Sequence, residues 1–401
     1  MNKRVYQINL CEAFGGSEVY TRFFSLALQN LGWQSTVIVN TKADHWNSLD
    51  LGKASLVPAA NGRDVLRQMP NRDALVFSHT AIDGFLGDAL AKRHRYVGFA
   101  HQPLYLKALA PFRRFRMVLG VSEYVLASVR AAGLDCYARP LYGVADVDRV
   151  ERRPLQQLTR GSEFAHDRSS LRGRALGLLE PMTSALRAPE VYHRRRGLTL
   201  GIVSPLVEMK QFPKLFSIIA PIIARYPEVN LEIFGSGTAS AVQALRRSLE
   251  PLGDRVRFWG QQTDMRSVYG GIDFLLTGLP EREGLGRNVV EAQMCGAAVL
   301  AVHSPPFTET VLDGKTGYLY RDPREDGGAD FERHLAGLKE GVDLPDPLAH
   351  REHLARFTLP AFTAEVSRLL NNLDHLVPSG RHEFTPWYRP PQTVTQTLQG
   401  I

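Results

Sequence analysis

The residues best suited to chemistry lie together in the segment 283–292, whose sequence is EGLGRNVVEA. The segment follows a predicted strand at 273–277, so it stands at the carboxyl end of that strand, where doubly wound sheets bind their ligands. Two glycines that open a helix let backbone N–H groups approach an anion, and the helix N-terminus adds a partial positive charge. The segment therefore predicts a phosphate-binding site.

Two acids in this segment, Glu283 and Glu291, are separated by seven residues. If Glu283 precedes the helix and Glu291 lies two turns into it, their backbones are roughly 12 Å apart at about 1.5 Å per residue. That separation exceeds the roughly 5–9.5 Å between the paired carboxyls of glycosidases. Either the two acids accept hydrogen bonds from hydroxyls on two parts of one extended ligand, or they are two ordinary solvated glutamates.

The elements that must position these residues are short apolar runs that alternate with amphipathic stretches. The runs fall into two series of five: 5–10, 36–39, 74–77, 96–100 and 117–121, and then 198–203, 231–234, 255–258, 273–277 and 298–302. Amphipathic stretches at 18–31, 213–225 and 239–252 predict helices between the strands. Such alternation is typical of parallel sheets with helices on both faces. We therefore predict an α/β protein with two doubly wound, Rossmann-like domains that face each other across a cleft.

Composition excludes several classes of protein. The chain has 401 residues, of which 44% are hydrophobic and 22% charged, which is typical of a globular protein with two domains. No run approaches the roughly 18 consecutive apolar residues of a membrane span, and the first residues are too few and too polar for a signal peptide. Three widely spaced cysteines (Cys11, Cys136 and Cys295) argue against a disulfide or zinc framework. We expect a cytoplasmic location.

Charge is distributed unevenly along the chain. Residues 1–200 carry 28 Lys and Arg against 17 Asp and Glu, a net of +11, and the remainder carries 20 against 24, a net of −4. A basic half predicts an anionic partner, such as nucleic acid, an anionic membrane face or a phosphate-rich acceptor. The alternative is a basic surface that is merely solvated.

Further motifs surround the central segment. They are GGSE at 15–18, FGSG at 234–237, VRFWG at 256–260, CGAAVLA at 295–301 and ETVLDGKTGY at 309–318. Together with the two glutamates, they resemble the family-4 retaining glycosyltransferases of the GT-B type. The resemblance is close over 199–320 and looser over 1–145, and it is absent from 151–196 and from the tail.

The resemblance implies roles for residues of the second half. Glu283, with the backbone of Gly284, Leu285 and Gly286, would hold the donor sugar and the diphosphate of a nucleotide sugar. Glu291 would accept hydrogen bonds from the ribose hydroxyls. Lys210 would pair with the diphosphate as a point charge; taken alone, it is an ordinary surface lysine.

The resemblance also implies where the rest of the donor lies. The base would lie against a turn at Phe258, Trp259 and Gly260 and against the loop from Gly235 to Gly237. Gly16 would let the N-terminal domain approach the diphosphate, or it only forms a tight turn. His101 matches a histidine near the transferred sugar, and its alternative role is that of a core histidine.

One position departs from the family pattern. The family usually places an arginine six residues before the lysine, and here that position is Ser204, followed by Pro205. Either Arg287 or Arg282 supplies the second cation, or the leaving group is less well neutralised. The departure leaves open a non-catalytic or weakly active nucleotide-sugar-binding protein, and a sugar-nucleotide epimerase of the same fold is a further alternative.

Our prediction from the sequence is a retaining, metal-independent glycosyltransferase. It would move a sugar from a nucleotide-diphosphate sugar to a saccharide acceptor, either lipid-linked or part of a cell-surface polysaccharide or lipopolysaccharide. We expect Glu283, Lys210 and His101 to be catalytic, and we expect no cofactor, no metal and no nucleic-acid partner. The basic half would contact an anionic membrane at its inner face.

Four regions follow from this prediction. Residues 1–150 form an acceptor-binding domain, 151–197 a basic insertion or linker, 198–358 the nucleotide-sugar-binding domain, and 359–401 a helix and tail that pack back on the first domain. The insertion carries ten arginines and five acids, and a short helix is expected near 170–179. The helical spacing of Phe362, Val366, Leu369 and Leu373 predicts a helix at 359–373.

Overall fold

The computed structural model describes most of the chain. Described are residues 3–82, 84–105, 108–145, 147, 157–164, 190–339 and 344–373, and the backbone of 387–388. Contacts divide the chain into a first unit, residues 1–144 with 355–401, and a second unit, residues 145–354. The helix predicted near 170–179 lies outside the described residues. Within the described part, no helix combines the length and the apolar character that a membrane crossing requires.

The first unit is built on an eight-stranded sheet. Its strands are β1 (Arg4–Asn9), β2 (Gln34–Asn40), β3 (Ser55–Ala59), β4 (Leu75–Ser78), β5 (Arg95–Ala100), β6 (Met117–Gly120) and β7 (Cys136–Tyr137), and a final strand at Trp387–Tyr388. The order is 3-2-1-4-5-6-7, followed by the final strand, which alone is antiparallel to its neighbour. Because the order reverses between β1 and β4, the sheet is doubly wound.

Helices connect these strands. They are α1 (Gly16–Asn30), α2 (Gly62–Arg67), α3 (Gly84–Arg93) and α4 (Glu123–Ala131). Helix α1 begins where the Glu18 carboxylate accepts a hydrogen bond from the Gly15 N–H at 2.7 Å. The helix at Leu359–Leu373 packs on α1, where the rings of Phe362 and Tyr20 lie 5.4 Å apart between centroids.

The second unit is built on six parallel strands. They are β8 (Leu198–Val203), β9 (Val229–Phe234), β10 (Val256–Gly260), β11 (Phe274–Leu276), β12 (Ala298–Val302) and β13 (Gly317–Tyr320). Their order is β10-β9-β8-β11-β12-β13, so this sheet is doubly wound as well, with its switch point between β8 and β11. Strands β9 and β12 are buried along their whole length, as expected when helices cover both faces of a parallel sheet.

The helices of the second unit enclose its two cores. They are α5 (Phe212–Ala224), α6 (Ala239–Ser248), α7 (Met265–Gly270), α8 (Arg287–Met294), α9 (Phe307–Thr310), α10 (Pro323–Asp326), α11 (Ala329–Lys339) and α12 (Arg351–Ala355). In the first unit, the helix at Leu359–Leu373 is called α13 and the strand at Trp387–Tyr388 is called β14. One core packs α5 against the sheet, and the other packs α8 against it.

The predicted class is confirmed: the protein is α/β with two doubly wound units. The differences are local. Strand β3 was not predicted because it contains Pro58, which is tolerated at the edge of the sheet where β3 lies. The helix predicted at 239–252 ends at Ser248, because Pro251 disfavours the helix and Gly253 adopts a positive φ of 56°.

Candidate functional site

The central segment lies at the switch point of the second sheet. The loop after β8 (204–211) and the loop after β11 (277–286) meet there, and the Leu279 N–H donates to the Lys210 carbonyl oxygen at 3.2 Å. Gly278 allows this approach, because a Cβ on it would lie 2.2 Å from the same carbonyl oxygen. The backbone of Lys210 is therefore held directly against the loop that carries Glu283.

Lys210 and Glu283 form an ion pair. The Lys210 Nζ donates to Oε2 of Glu283, and both side chains are mostly buried, at 21% and 18% exposed. The other oxygen, Oε1, accepts from the Gly286 N–H at 3.2 Å and from the Gly284 N–H at 3.3 Å. Burial by itself would raise the pKa of the Glu283 carboxyl, but Lys210 and the two amides outweigh it and lower that pKa. Glu283 is thus an ionised acceptor at neutral pH.

The two glycines precede α8 as predicted from the segment. Gly286 is the N-cap of α8, with a left-handed φ of 75°, and the Asn288 side chain donates to the Val203 carbonyl at 2.9 Å. This bond ties the first turn of α8 to the end of β8. The N-terminus of α8, with its partial positive charge, therefore stands beside Lys210 at the switch point.

Glu291 lies in the second turn of α8 and is 7% exposed. Arg287 Nε lies 2.9 Å from its Oε1, and the Tyr269 hydroxyl donates to its Oε2 at 3.1 Å. Tyr269 is buried, and burial, followed by the Glu291 charge, raises the pKa of its phenol well above the ordinary value. The carboxylate is thus oriented by two donors. Sequence reasoning missed Tyr269, since no motif or spacing marks it.

The Arg287 pairing bears on the missing arginine. Arg287 contacts Glu291 through Nε, and its buried Nη1 has no hydrogen-bond partner among the described residues. Arg287 can therefore hold Glu291 and still donate to an anion, as predicted for the second cation. Arg282 is exposed. Ser204 is buried and its hydroxyl donates to the Pro205 carbonyl at 3.3 Å, so its position offers no charge. Lys210 is the cation that the structure places against Glu283.

A chain of polar contacts behind Lys210 was also missed. Gln211, with a left-handed φ of 52°, donates to the Glu281 carboxylate at 2.8 Å. Arg324 pairs with both Glu281 and Asp322. These contacts join the two switch-point loops to α10, and none of these residues belongs to a motif that the sequence reveals.

The predicted base site differs from expectation. The segment from Phe258 to Gly260 is the end of β10 rather than a turn, and the Phe258 and Trp259 side chains are buried. The Trp259 indole donates to the Glu232 carboxylate at 2.6 Å. Strand β9 pairs with β10 as far as Gly260, but the register shifts between Phe258 and Gly260, and Gly260 adopts a left-handed φ of 68°. These two rings therefore belong to the core and offer no face to a base.

The two predicted glycines after β9 serve chain packing. A Cβ on Gly235 would lie 2.0 Å from the Ser204 carbonyl oxygen, and one on Gly237 would lie 2.1 Å from the Leu206 carbonyl oxygen. Both glycines thus bring the loop after β9 against the loop after β8. They shape the site's edge even though their role toward a ligand stays a prediction.

Two predicted residues lie in the first unit, both at the carboxyl edge of its sheet. Gly16 is the first residue of α1, and a Cβ there would meet nothing within 4 Å. His101 follows β5 and is half-buried, and its ring centroid lies 5.7 Å from that of His79 and 5.0 Å from that of Tyr20. His101 is therefore part of an aromatic cluster, and its role near a sugar stays a prediction.

Comparison with known proteins identifies the second unit. Two doubly wound units are the GT-B architecture of glycosyltransferases, and residues 197–340 match the family described as Glycosyl transferases group 1. This part of the chain is a glycosyl transferases group 1 domain. The match includes the segments that carry Lys210, Glu283 and Glu291.

Curated relatives resemble part of the chain. One is a component of human phosphatidylinositol N-acetylglucosaminyltransferase, which is 34% identical over 162 residues that cover 40% of this chain and 33% of the human protein. Glycogen synthase 1 of Bradyrhizobium diazoefficiens is 31% identical over 153 residues, which cover 37% and 30%. The chain thus spans about a third of the length of these relatives.

A solved structure resembles nearly the whole chain. HepE of Anabaena, solved in complex with UDP, superposes with a TM-score of 0.67 at 16% identity, covering 92% of this chain and 99% of HepE. At this identity the likeness concerns the fold. It extends over both units, beyond the region that matches the family.

Proposed function

We propose that this protein transfers a sugar from a nucleotide-diphosphate sugar to a saccharide acceptor. The observation that carries the proposal is the Lys210–Glu283 pair beside the N-terminus of α8, at the switch point of a glycosyl transferases group 1 domain. The names of the relatives support it, since they include a component of an N-acetylglucosaminyltransferase and several glycogen synthases. HepE, with the same fold, was solved with UDP.

The ion pair suggests how the donor is bound. An entering diphosphate would compete with Glu283 for the Lys210 ammonium, because both are anions. Displaced from Lys210, the Glu283 carboxylate would accept hydrogen bonds from hydroxyls of the donor sugar. Since its pKa is lowered, Glu283 would act as an acceptor and would not serve as a general acid.

Breaking the anomeric C–O bond develops negative charge on the leaving diphosphate. Lys210, the first amides of α8 and the dipole of α8 would stabilise that charge, and preorganised groups of this kind lower the barrier most effectively. We propose that these groups take the part that a metal ion plays in other enzymes. The acceptor would attack from the side of the leaving group, so that the anomeric configuration is retained.

Glu291 would bind the ribose. Its two oxygens are held by Arg287 and Tyr269, so a carboxylate with a fixed orientation is available for the two ribose hydroxyls. Bonds to a charged acceptor are strong, at about 1.5–3 kcal/mol each. Nucleotide affinity is therefore expected to depend on Glu291 more than on Glu283.

The acceptor would be a lipid-linked saccharide or a cell-surface polysaccharide. The net charge of +11 over residues 1–200 supports contact between this basic half and an anionic membrane surface. If so, liposome binding should require anionic headgroups and weaken as salt rises, because charges are screened over about 8 Å at physiological ionic strength. Equal binding to neutral vesicles, or binding to neither, would contradict the membrane contact.

A direct assay tests the transfer. The full chain is incubated with UDP- and GDP-sugars and with lipid-linked or polymeric saccharides, and both the released nucleotide and the glycosylated product are measured. NMR of the product gives its anomeric configuration. Addition of EDTA, which chelates metal ions, tests whether transfer requires a metal. Product with retained configuration in EDTA is expected. Nucleotide release that does not depend on acceptor, an inverted product, or loss of activity in EDTA would each contradict one part of the proposal.

A further inference from the structure

A segment of the arginine-rich insertion crosses the carboxyl edge of the second sheet. We call this segment, residues 157–164, the strap. Its backbone runs over the ends of β10 and β9: the Gly161 N–H donates to the Trp259 carbonyl at 2.9 Å, and the Glu163 carbonyl accepts from the Gly237 N–H at 3.0 Å. The strap therefore covers the edge on which the base was expected.

Side chains anchor the strap at both ends. Leu158 is buried in the core of the second unit. The Glu163 carboxylate accepts two bonds from Arg246 Nη2, at 2.6 and 2.7 Å, and the Arg246 guanidinium lies 4.1 Å from the centre of the Phe258 ring. Gly260 fits the strap closely, since a Cβ on it would lie 2.4 Å from the Ser162 carbonyl oxygen. The strap is thus packed against the second unit as an integral part of it.

The strap uses the backbone groups that could otherwise read a base. The carbonyls at the end of β10 already accept hydrogen bonds: that of Phe258 from Arg160 Nε at 2.8 Å, and that of Trp259 from the strap. The Gly260 carbonyl accepts from the Gly235 N–H at 2.8 Å. The Trp259 carbonyl also accepts from Gln262 Nε2 at 2.7 Å, so both of its lone pairs are used. A base that hydrogen-bonds to the Phe258 or Gly260 carbonyl would share an acceptor that the domain already uses. An aromatic ring at this edge would give a base a contact that does not depend on these shared carbonyls.

Phe164, the last described residue of the strap, carries an aromatic ring that is exposed at this edge. It pairs with Gly237 in an isolated parallel bridge, and Gly237 pairs on its other side with Leu206 in the loop after β8. Leu206, Gly237 and Phe164 thus pair side by side, and Phe164 stands at the end of this row that is farther from the loop after β8. The Phe164 side chain is 39% exposed, although burial of an aromatic ring is energetically more favourable than exposure to water. Its bridge partner, Gly237, has no side chain.

We infer that Phe164 is the stacking surface for the base of the bound nucleotide, an inference that rests on the proposed function. An aromatic ring stacks on the π-face of any base, whereas backbone groups read particular base edges. The insertion would then supply the base contact that buried Phe258 and Trp259 do not. Stacking predicts similar dependence on Phe164 for UDP and for GDP.

The test measures nucleotide affinity by calorimetry on the full chain. Phe164→Ala should weaken the binding of UDP and of GDP by about 5- to 150-fold, the range found for loss of one base-stacking ring. It should leave the affinity for pyrophosphate unchanged, because pyrophosphate has no base. Phe164→Trp should retain nucleotide binding. Phe85→Ala, which removes an exposed ring from the first unit, is the matched control and should bind as the wild type does.

Each other outcome overturns the inference. If Phe164→Ala binds UDP as tightly as the wild type, the ring is an ordinary surface residue, and the proposed function is untouched. If pyrophosphate weakens in parallel with UDP, the substitution acts through the structure of the strap rather than through a base contact. If the wild type binds neither UDP nor GDP, the proposed function fails and the inference fails with it.

Discussion

Replacing Tyr269 by phenylalanine tests whether the second glutamate of the site depends on its buried support. The substitution removes one oxygen, which donates to Glu291 Oε2 at 3.1 Å, and leaves the buried ring in place. Burial and the neighbouring carboxylate raise the pKa of this phenol, so the hydroxyl is protonated, and donates, at neutral pH. Arg287 remains at 2.9 Å from the other oxygen.

The magnitude follows from the burial of Glu291. A hydrogen bond to a charged group contributes about 1.5–3 kcal/mol, and a carboxylate that is 7% exposed has little access to water as a replacement donor. The free energy of unfolding should fall by about that amount, which lowers Tm by roughly 2–4 °C per kcal/mol in a unit of this size. Because Arg287 still orients one oxygen, UDP affinity should fall by about tenfold, or ~1.4 kcal/mol.

The assay is UDP titration at a temperature well below the unfolding transition, beside a thermal melt of each variant. Tyr192→Phe is the matched control, because the Tyr192 hydroxyl donates to the Gly271 carbonyl at 2.6 Å in the same unit. It should lower Tm and leave UDP affinity unchanged. Wild-type affinity in Tyr269→Phe, or an equal loss in both variants, would refute the view that Tyr269 orients Glu291 for the ligand.

Three further predictions concern α8 and the switch-point loops. Glu291→Ala should weaken nucleotide binding by about 10- to 100-fold while the protein stays folded, as titration and circular dichroism would check. Gly278→Ala should reduce turnover with the fold retained, because its Cβ would displace the Lys210 carbonyl, and kcat for the variant checks this. The folded-state pKa of Glu283 is lowered, so its pair with Lys210 stabilises the protein above the unfolded pKa of about 4.3, and that stability is lost as pH falls through the folded pKa. Urea unfolding should therefore show a deficit for Glu283→Gln at neutral pH that shrinks in acid.

The part of the fold that could be predicted came mostly from the local pattern of apolar and polar residues. The apolar runs predicted strands because parallel strands with both faces covered are continuously hydrophobic, and β12 is buried at every position. The segment with Glu283 was placed at a carboxyl end because it directly follows a predicted strand, and doubly wound sheets bind their ligands at that edge. The end of α6 was missed, since amphipathic spacing continues beyond Ser248 whereas Pro251 stops the helix.

The remaining features depend on contacts between distant parts of the chain. Lys210 and Glu283 are 73 residues apart, and they meet only because β11 lies beside β8 in the sheet. The hydrogen bond from the Tyr269 hydroxyl to Glu291 forms only because tertiary packing brings the two side chains together. The strap is held by backbone hydrogen bonds and by contacts of Leu158, Arg160 and Glu163 with residues distant in sequence. Local sequence pattern reveals none of these contacts, so the position of the strap over β10 could not be predicted.

The most direct measurement of the central claim is acceptor-dependent release of nucleotide diphosphate by the wild type and by Lys210→Ala. If Lys210 is the main side-chain cation on the leaving diphosphate, its loss should reduce turnover by at least about 100-fold, or ~2.7 kcal/mol. Lys315→Ala, which removes an exposed lysine from the same unit, should turn over normally. Normal turnover by Lys210→Ala would contradict the placement of the diphosphate at the switch point between β8 and β11.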